Sequence, residues 1–358
     1  MPLLYCQAVK AGVNIMRNKS LDAGKAMAAF GVVFIHVSFP GQTGQIIKAL
    51  ARSAVPFFFM VSGYFCYYNR RNTDRGKRIT DKIPAKVQHI LTLLAFALLF
   101  YFLWESAMHL VEKEAIGPWL QEMVKKEHLK ELFRYNSTSQ LKPHLWFLPA
   151  LIYCYILDYF IEKLHLGKLA YLSVPVLLGC FLWRAYFGRF QGVFYHTMEY
   201  RNYFFMGMPF FLTGQMIHEY EKLLDRKLSW QVLAVGGLLG SGGTIWEYFQ
   251  AGAREVYPGN VLLAVCLFLL CILYDTKSRR LEYLAVLGRE FAFPIYLLHP
   301  ATAELMKKLA DFLGISRNPA YLWLRPILVC GCTIFLVRAV SRLWSSQQKC
   351  GIVFRRHN

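Results

Sequence analysis

Residues 87–111 decide the fold class, and their central part, residues 90–104, reads ILTLLAFALLFYFLW. The run contains one acidic residue, Glu105, and neither lysine nor arginine. A helix needs about 20 predominantly apolar residues to cross the roughly 30 Å hydrocarbon core of a bilayer. In lipid, only helices and closed barrels satisfy their backbone hydrogen bonds, and this run is too long and too apolar for a barrel strand. It therefore predicts a membrane-spanning helix.

Similar runs recur along the chain, so we predict an all-α fold, a polytopic membrane helical bundle of about ten transmembrane helices. Composition agrees, because 56% of the 358 residues are hydrophobic and only 18% are charged. In an average soluble domain about 25% of the residues are charged. The predicted spans are residues 21–39, 46–68, 87–111, 144–162, 168–187, 203–218, 228–249, 258–274, 284–303 and 320–344.

No internal repeat or linker divides the chain, so we expect one domain over residues 1–358. A short cytoplasmic segment, 1–20, would precede the first span, and a basic tail, 345–358, would follow the last. The connection 112–142 mixes large apolar residues with Glu and Lys at helical spacing, which predicts an amphipathic helix on the outer face. Two roles are open for it, anchoring at the membrane interface and covering the bundle as a lid.

Lysine and arginine outnumber aspartate and glutamate by 41 to 22, which gives a net charge of +19. Such an excess often indicates a nucleic-acid partner, but the apolar runs exclude a soluble nucleic-acid binder, and we expect no nucleic acid here. With both termini in the cytoplasm, 23 basic residues fall in inside connections and 10 in outside ones. The positive-inside rule predicts this asymmetry. Membrane lipid is therefore the first expected partner of a multi-pass protein of the cell membrane.

The cysteines indicate neither a disulfide framework nor a metal site. The chain has nine of them, an odd number, and most lie in or beside apolar runs. No Cys-x-x-Cys pair accompanies histidines as a structural zinc site requires. We interpret them as small packing residues and expect no metal.

Besides Asp22 at its start, the first span holds two ionisable residues, Lys25 near its cytoplasmic end and His36 toward the other end. A central lysine costs roughly 2.5–3.5 kcal/mol on insertion scales, so such residues need a reason. Eleven positions separate the two. In a helix they differ by only about 20° around the axis and stand about 16 Å apart along it. The shared face favours a polar passage in which His36 transfers a proton. The alternative is that Lys25 snorkels to the interface and His36 bonds a backbone carbonyl.

An ordered set of motifs resembles the acyltransferase family 3 membrane proteins. A Leu21-Asp22 pair precedes Lys25, which is followed by ten residues and His36, like that family's Arg/Lys-x10-His pattern. The further matches are residues 56–64 (PFFFMVSGY), 144–148 (HLWFL), 201–202 (RN), 207–212 (GMPFFL) and 296–299 (YLLH).

The resemblance implies transfer of an acyl group, usually acetyl from cytoplasmic acetyl-CoA. The acceptor would be a hydroxyl of a cell-surface or lipid-linked glycan, and the location a bacterial plasma membrane. It also implies that Arg75 and Arg78 in the first cytoplasmic loop, with Arg71 nearby, bind the phosphates of the acyl-CoA. Arginine suits phosphate because its planar fork is always charged. The same cluster is also explained by the positive-inside rule and by lipid headgroups.

For the mechanism we expect His36 to act as the general base on the acceptor hydroxyl. A transient acyl-histidine is the alternative. Lys25 would position the donor or counter charge on the thioester carbonyl, and Asp22 would pair with Lys25 from the same helix face. No soluble catalytic domain follows the last span, so we expect the chemistry to take place within the membrane domain.

Four other residues are candidates for binding the acceptor. His144 and Trp146 lie at the predicted outer start of the fourth span, and Arg201 lies at the outer end of the sixth. His299 precedes Pro300 within the ninth span. Interfacial anchoring for Trp146 and Arg201, and helix-kink packing for His299, are the structural alternatives. Glu247, near the outer end of the seventh span, is equally ambiguous.

A membrane transporter of a small polar solute, such as an amino acid or a sugar, is the competing interpretation. Polar residues along one helix of a ten-helix bundle would suit it. Against it, no paired discontinuous helices mark corresponding halves of the chain.

Overall fold

The computed structural model describes residues 18–71, 82–138, 140–275 and 278–354. Within these ranges every regular element is helical and no strand occurs, which confirms the all-α prediction. Short 3₁₀ or π turns occupy Pro143–Trp146, Phe187–Gln191 and Tyr203–Gly207. The α-helices are α1 (Lys19–His36), α2 (Gly41–Ala51), α3 (Ala54–Arg71), α4 (Ile83–Glu112), α5 (Ile116–Met123), α6 (Lys126–Tyr135), α7 (Phe147–Lys163), α8 (Gly167–Ala185), α9 (Thr197–Tyr200), α10 (Met208–Glu219), α11 (Glu221–Lys227), α12 (Trp230–Ala251), α13 (Pro258–Leu273), α14 (Arg279–Phe312) and α15 (Pro319–Phe354).

Each predicted span falls on at least one helix, but only part of them are long and apolar enough to cross a membrane by themselves. Among the described residues 5 helical stretches meet that requirement, and α13 is a shorter apolar helix. The five are Gly41–Tyr67, Ile83–Glu112, Pro143–Lys163, Gly167–Ala185 and Pro319–Arg342. Helix α1 is less apolar because Lys19, Asp22 and Lys25 lie in its first two turns. The number ten and the sides of the termini stay predictions.

The helices form two compact units. The first unit contains residues up to Ala54 and from Tyr274 onward, and thus α1, α2, α14 and α15. The second unit, Val55–Leu273, contains nearly all of α3 and the helices up to α13. The single domain predicted from the sequence stays a prediction beside this division.

In the first unit α1 lies along α14 over much of its length. Gly288 of α14 makes the close approach possible, because a Cβ at that position would lie 1.7 Å from the carbonyl oxygen of Asp22. The facing side of α1 is built from small residues such as Ala26 and Ala29, both almost fully buried. The Asn18 side chain starts α1 by accepting a hydrogen bond from the Leu21 amide at 2.7 Å. Small side chains at such crossings let two backbones touch.

In the second unit α3 and α10 cross in backbone contact. A Cβ on Gly63 would lie 1.8 Å from the carbonyl oxygen of Phe211, and one on Gly214 would lie 2.1 Å from that of Met60. Residues 56–64 and 207–212, which carry two of the family-like motifs, therefore meet at this crossing. Helix packing therefore explains the glycines of these motifs, Gly63 and Gly207, without any ligand.

The connection 112–142 contains two short helices, α5 and α6, where the sequence predicts one amphipathic helix. The turn between them leaves Val124 73% exposed. Beside it, hydrogen bonds from Lys125 and His128 hold the pKa of the Glu122 carboxyl below its usual range. At the other end of the chain, α15 continues to Phe354, so much of the predicted tail 345–358 is helical.

Candidate functional site

Asp22 and Lys25 form an ion pair within α1, as their spacing predicts. The Lys25 ammonium donates to Asp22 Oδ1 at 3.0 Å, and the two side chains are 21% and 12% exposed. Three residues place the two groups one above the other on a helix face. The contact between α14 and the Asp22 carbonyl buries this end of α1. Pairing lowers the cost of both charges in a span, and it leaves Lys25 fixed at one place along the helix.

His36 is the last residue of α1 and contacts His299 of α14. The centroids of the two imidazoles are 5.2 Å apart and their planes are inclined by 41°. His299 is 0% exposed, whereas His36 is exposed. His299 Nδ1 lies 3.0 Å from the Ile295 carbonyl oxygen and 2.9 Å from that of Tyr296. The sequence named both histidines but assigned them to different tasks, and the structure brings them together.

The ion pair and the histidine pair lie on one uninterrupted helix. Helix α1 runs from Lys19 to His36 without a break, so Lys25 and His36 stand about 16 Å apart along its axis. A group that touches His36 therefore cannot also touch Lys25. If Lys25 and His36 serve the same reaction, they contact different parts of the substrates along a passage. One reacting atom cannot reach both side chains.

In the second unit, Trp146 and Arg201, two of the residues predicted to bind the acceptor, lie next to each other. The Arg201 guanidinium carbon lies 5.7 Å from the centre of the Trp146 ring, and Arg201 Nη1 lies 3.5 Å from Glu255 Oε2. Trp146 is 7% exposed and also packs on Phe59 at 6.0 Å. Its burial argues against a lipid-facing anchor. Glu255 has no motif around it, and sequence reasoning missed it.

His144 lies in the same 3₁₀ turn as Trp146 and is also buried, at 3% exposure. Its ring packs edge-on against Tyr101 of α4 at 5.2 Å. Next to them, Lys142 Nζ lies 2.6 Å from Glu105 Oε1, and the pair is 12% and 20% exposed. Glu105, the lone acidic residue of the run 87–111, thus has a basic partner from the connection 112–142. The Lys142–Glu105 pair therefore marks a polar region that the sequence did not predict.

Asn136 connects the two segments that carry Trp146 and Arg201. Its side chain is 0% exposed, and its backbone has φ +50°. Nδ2 donates to the Trp146 carbonyl at 3.1 Å, and Oδ1 accepts from the Tyr203 amide at 2.9 Å. Asparagine tolerates the left-handed region better than most residues. Its neighbour in space, Asn202, caps the π turn by accepting from Phe204 and Phe205.

Glu247, which the sequence left ambiguous, has a structural role. Its Oε2 accepts a hydrogen bond at 2.9 Å from the amide of Gly259, in the first turn of α13. A carboxylate at this position satisfies an amide that has no partner within the helix and favours the positive end of the helix dipole. The close crossing of α12 and α13 at Gly240 brings the two helices together there.

Of the three residues predicted to bind the acyl-CoA, Arg71 is the last residue of α3, and Arg75 and Arg78 lie outside the described residues. In the described parts of the chain no group of three or more His, Cys, Asp or Glu side chains could hold a metal ion. The side chains of seven of the nine cysteines are described, and all seven are free thiols.

These features define a class. A helical protein with apolar stretches of membrane-spanning length, and with a lysine–aspartate pair and a histidine pair inside one packed unit, is an integral membrane protein that holds ionisable groups among its helices. The chain belongs to the acyltransferase family 3, whose model, described as an acyltransferase domain, matches residues 18–339. The resemblance drawn from the motifs is thereby confirmed.

Two curated proteins are similar to the chain at about 25% identity. A serine/alanine racemase of Enterococcus gallinarum is 24% identical over 327 residues, which are 85% of this chain and 43% of that protein. An amino-acid racemase of Enterococcus faecalis is 26% identical over 278 residues, 72% of this chain and 36% of that protein. The chain therefore spans about two fifths of the length of these relatives. No solved structure matches the chain significantly.

Proposed function

We propose that this membrane acyltransferase moves an acetyl group from cytoplasmic acetyl-CoA to a hydroxyl of a cell-surface or lipid-linked glycan. Its location would be a bacterial plasma membrane. The observation that carries the proposal is the position of His36. It ends α1 in contact with His299, eleven residues beyond a fixed Asp22–Lys25 pair, on a chain of acyltransferase family 3.

His36 is suited to the proton transfer that this reaction needs. The acceptor oxygen forms a bond to the acyl carbon, the carbon–sulfur bond of the thioester breaks, and the hydroxyl proton moves to His36. The imidazole then returns that proton to the leaving thiolate, so that an ester and a free thiol are the products. An imidazole titrates near neutrality and can do both steps. The His36 side chain is exposed, whereas that of His299 is buried.

For Lys25 the sequence left two roles open, to position the donor or to counter charge on the thioester carbonyl. We assign it the first role. Because about 16 Å of helix separates it from His36, it does not reach a thioester that reacts at His36. Its ammonium, held by Asp22, would instead bind carbonyl or anionic groups of the donor on the cytoplasmic side of the reaction. Arg75 and Arg78, with Arg71, would bind the phosphates of the donor on the cytoplasmic side of the membrane.

Taken by itself, the buried polar group in the second unit is a separate candidate for contacts with hydroxyl groups. Trp146 and Arg201 with Glu255, together with His144, offer an aromatic ring, a guanidinium and a carboxylate within one packed region. Hydroxyl-rich sugars are bound by such combinations of a ring and charged hydrogen-bonding groups.

The test uses the purified full chain in nanodiscs with radiolabelled acetyl-CoA and a lipid-linked glycan extract. Label should move to the lipid-linked fraction, and His36→Ala should lower the transfer by about 10²-fold or more. His165→Ala, an exposed histidine in a connection, is the matched control and should retain the rate. Asp22→Asn should raise the KM for acetyl-CoA. Full transfer by His36→Ala would exclude the assignment. Mass spectrometry of surface glycans, with and without the active chain, identifies the acceptor.

Transport of an amino acid is the second candidate, and the names of the curated relatives favour it. Both relatives are named as racemases that act on amino acids, and the similarity covers most of this chain. Uptake of labelled serine or alanine into vesicles that contain the chain and no acyl donor would support transport. Absence of uptake, together with acetyl transfer in nanodiscs, supports the acyltransferase.

A further inference from the structure

Arginines cluster on the predicted outer side of the second unit, where the positive-inside rule favours few of them. Residues 184–202 hold three arginines and one glutamate, and residues 252–257 hold one arginine and one glutamate. The first segment begins in the last turn of α8, and the second joins α12 to α13. Topology does not require basic residues here, so their excess needs a local reason.

Two tyrosines join these segments. The ring centres of Tyr186 and Tyr257 are 6.0 Å apart, and both side chains are buried. Arg254 is attached to this contact, because its amide donates to the Tyr257 hydroxyl at 2.9 Å. Arg189 follows Tyr186 by three residues, in the 3₁₀ turn Phe187–Gln191. Burial, and after it the positive charge of Arg189, lower the pKa of the Arg254 guanidinium. The two arginines therefore lie close enough to repel each other.

Neither of these guanidiniums pairs with a carboxylate among the residues that the structure describes. Arg254 Nη1 donates to the Ala253 carbonyl at 3.1 Å, while Arg254 Nε is buried and has no hydrogen-bond partner in the described chain. The guanidinium carbon of Arg189 lies 5.2 Å from the centre of the Phe194 ring. Arginine stays protonated in proteins, so the repulsion cannot be relieved by loss of a proton.

The acidic groups of the same segments are engaged elsewhere. Glu199 Oε2 accepts a hydrogen bond from the His196 amide at 2.7 Å. Glu255 Oε2 lies 3.5 Å from Arg201 Nη1. Charges that are partly withdrawn from water need a counter-charge, and here an anion from outside the chain can supply it.

The turn that carries Arg189 also exposes large apolar side chains. Phe190 and Phe194 are 60% and 69% exposed, and Phe187 beside them is exposed as well. Aromatic rings next to arginines are typical of the membrane interface, where acyl chains meet charged headgroups. The anion that fits this surface is therefore joined to an apolar chain.

We propose that Arg189 and Arg254, beside the exposed rings of Phe190 and Phe194, form a binding site for the phosphate of an anionic phospholipid. A planar guanidinium donates two parallel hydrogen bonds to phosphate oxygens. Two arginines favour a headgroup with net negative charge over a zwitterionic one, whose ammonium they repel. The acyl chains would pack on the phenylalanine rings. The site is separate from the proposed acyl transfer and is tested without it.

The experiment is native mass spectrometry of the full chain in mixed micelles of phosphatidylglycerol and phosphatidylcholine. We expect phosphatidylglycerol to be retained in preference to phosphatidylcholine. Arg189→Gln and Arg254→Gln should each lower its affinity about fivefold, the effect of one basic residue near an anionic lipid surface. Phosphatidylcholine binding should not change. Added salt should weaken the retention of phosphatidylglycerol in the parent and less so in the two variants.

The first unit offers matched controls. Arg317 is an exposed arginine in another predicted outer connection, and Phe312 is 87% exposed. Phe194→Ala should lower the affinity for phosphatidylglycerol about tenfold, because a ring that packs on acyl chains is lost. Phe312→Ala and Arg317→Gln should keep the parent affinity. Unfolding temperatures measured without added lipid show that the variants are folded.

Four results would overturn the proposal. Unchanged affinity in both Arg189→Gln and Arg254→Gln removes the site. An equal loss in Arg317→Gln shows unspecific attraction to the whole surface. Displacement of phosphatidylglycerol by inorganic phosphate at the same concentration shows a free-anion site without a contribution from the rings. Displacement by a lipid-linked glycan extract at lower concentration than by phosphatidylglycerol itself assigns the site to a phosphate-bearing acceptor instead.

Discussion

At the scale of single residues, Asn136 shows how one side chain can position a site that it does not enter. Residues 136–138 match the acceptor pattern for glycosylation, a pattern that is common by chance. Both polar atoms of the Asn136 side chain are used inside the second unit, on Trp146 and Tyr203. The side chain is also fully buried. Its role is therefore to hold together the two segments that carry Trp146 and Arg201.

We predict a graded loss of stability at Asn136. Asn136→Ala removes both buried hydrogen bonds and should cost about 2–4 kcal/mol. Asn136→Asp keeps the acceptor for the Tyr203 amide but places a buried carboxylate oxygen against the Trp146 carbonyl oxygen, so at neutral pH it should cost at least as much as alanine. Thermal unfolding of the purified chain in detergent measures the order. Asn318→Ala, which removes an exposed helix cap, is the control and should cost about 1 kcal/mol. An equal loss of stability in Asn136→Ala and Asn318→Ala would contradict the role of Asn136 in holding the two segments together.

At the scale of helices, the close crossings explain many of the glycines. At Gly63 and Gly214 two backbones touch, whereas at Gly179 and Gly242 a Cβ would meet no atom within 4 Å. The family-like motif at 56–64 is therefore partly a packing motif. Helix α1 follows the same rule, since Gly288 admits the backbone of Asp22 and thereby places the Lys25 pair.

We expect opposite effects from the same substitution at two of these glycines. Gly63→Ala places a methyl group on the Phe211 carbonyl and should cost about 3 kcal/mol or more, or prevent folding. Gly242→Ala, in the interior of α12 with open space around it, should stabilise the chain by up to about 1 kcal/mol. Size-exclusion profiles show whether each variant folds, and unfolding temperatures show whether it is more or less stable than the parent. A tolerated Gly63→Ala would show that the helices can separate there at little cost.

At the scale of the whole molecule, the topology is the largest prediction that the distribution of charge makes. It places the connection 112–142 outside and the connection 219–227 in the cytoplasm. Val124 is 73% exposed in the first, and Tyr220 is 44% exposed in the second. Each offers a position for a reporter cysteine.

Labelling of intact cells with a membrane-impermeant maleimide tests that topology. In a background with Cys180→Ser, which removes an exposed native thiol, Val124→Cys should react in intact cells. Tyr220→Cys should react only after the cells are permeabilised. The background chain without either cysteine is the control. The reverse pattern would invert the topology and the predicted side of acetyl-CoA.

Much of the fold could be predicted because length and apolarity act locally. The run around residues 90–104 lies in α4. The helical stretch Pro143–Lys163 and helix α13 differ from the predicted spans 144–162 and 258–274 by one residue at each end or less. The break between α2 and α3 and the π turn at Tyr203–Gly207 were missed. Both depend on packing against other helices, and hydropathy does not record such contacts.

The sequence by itself determined the helical membrane class, the family and the Asp22–Lys25 pair, because each depends on residues that are close in the chain. Only the tertiary structure decided that His36 meets His299, since these residues lie on the first and the fourteenth helix. It also decided that Glu247 caps a helix and that Asn136 faces inward. Each of these contacts joins distant segments, and their geometry is set by how small residues let the helices approach.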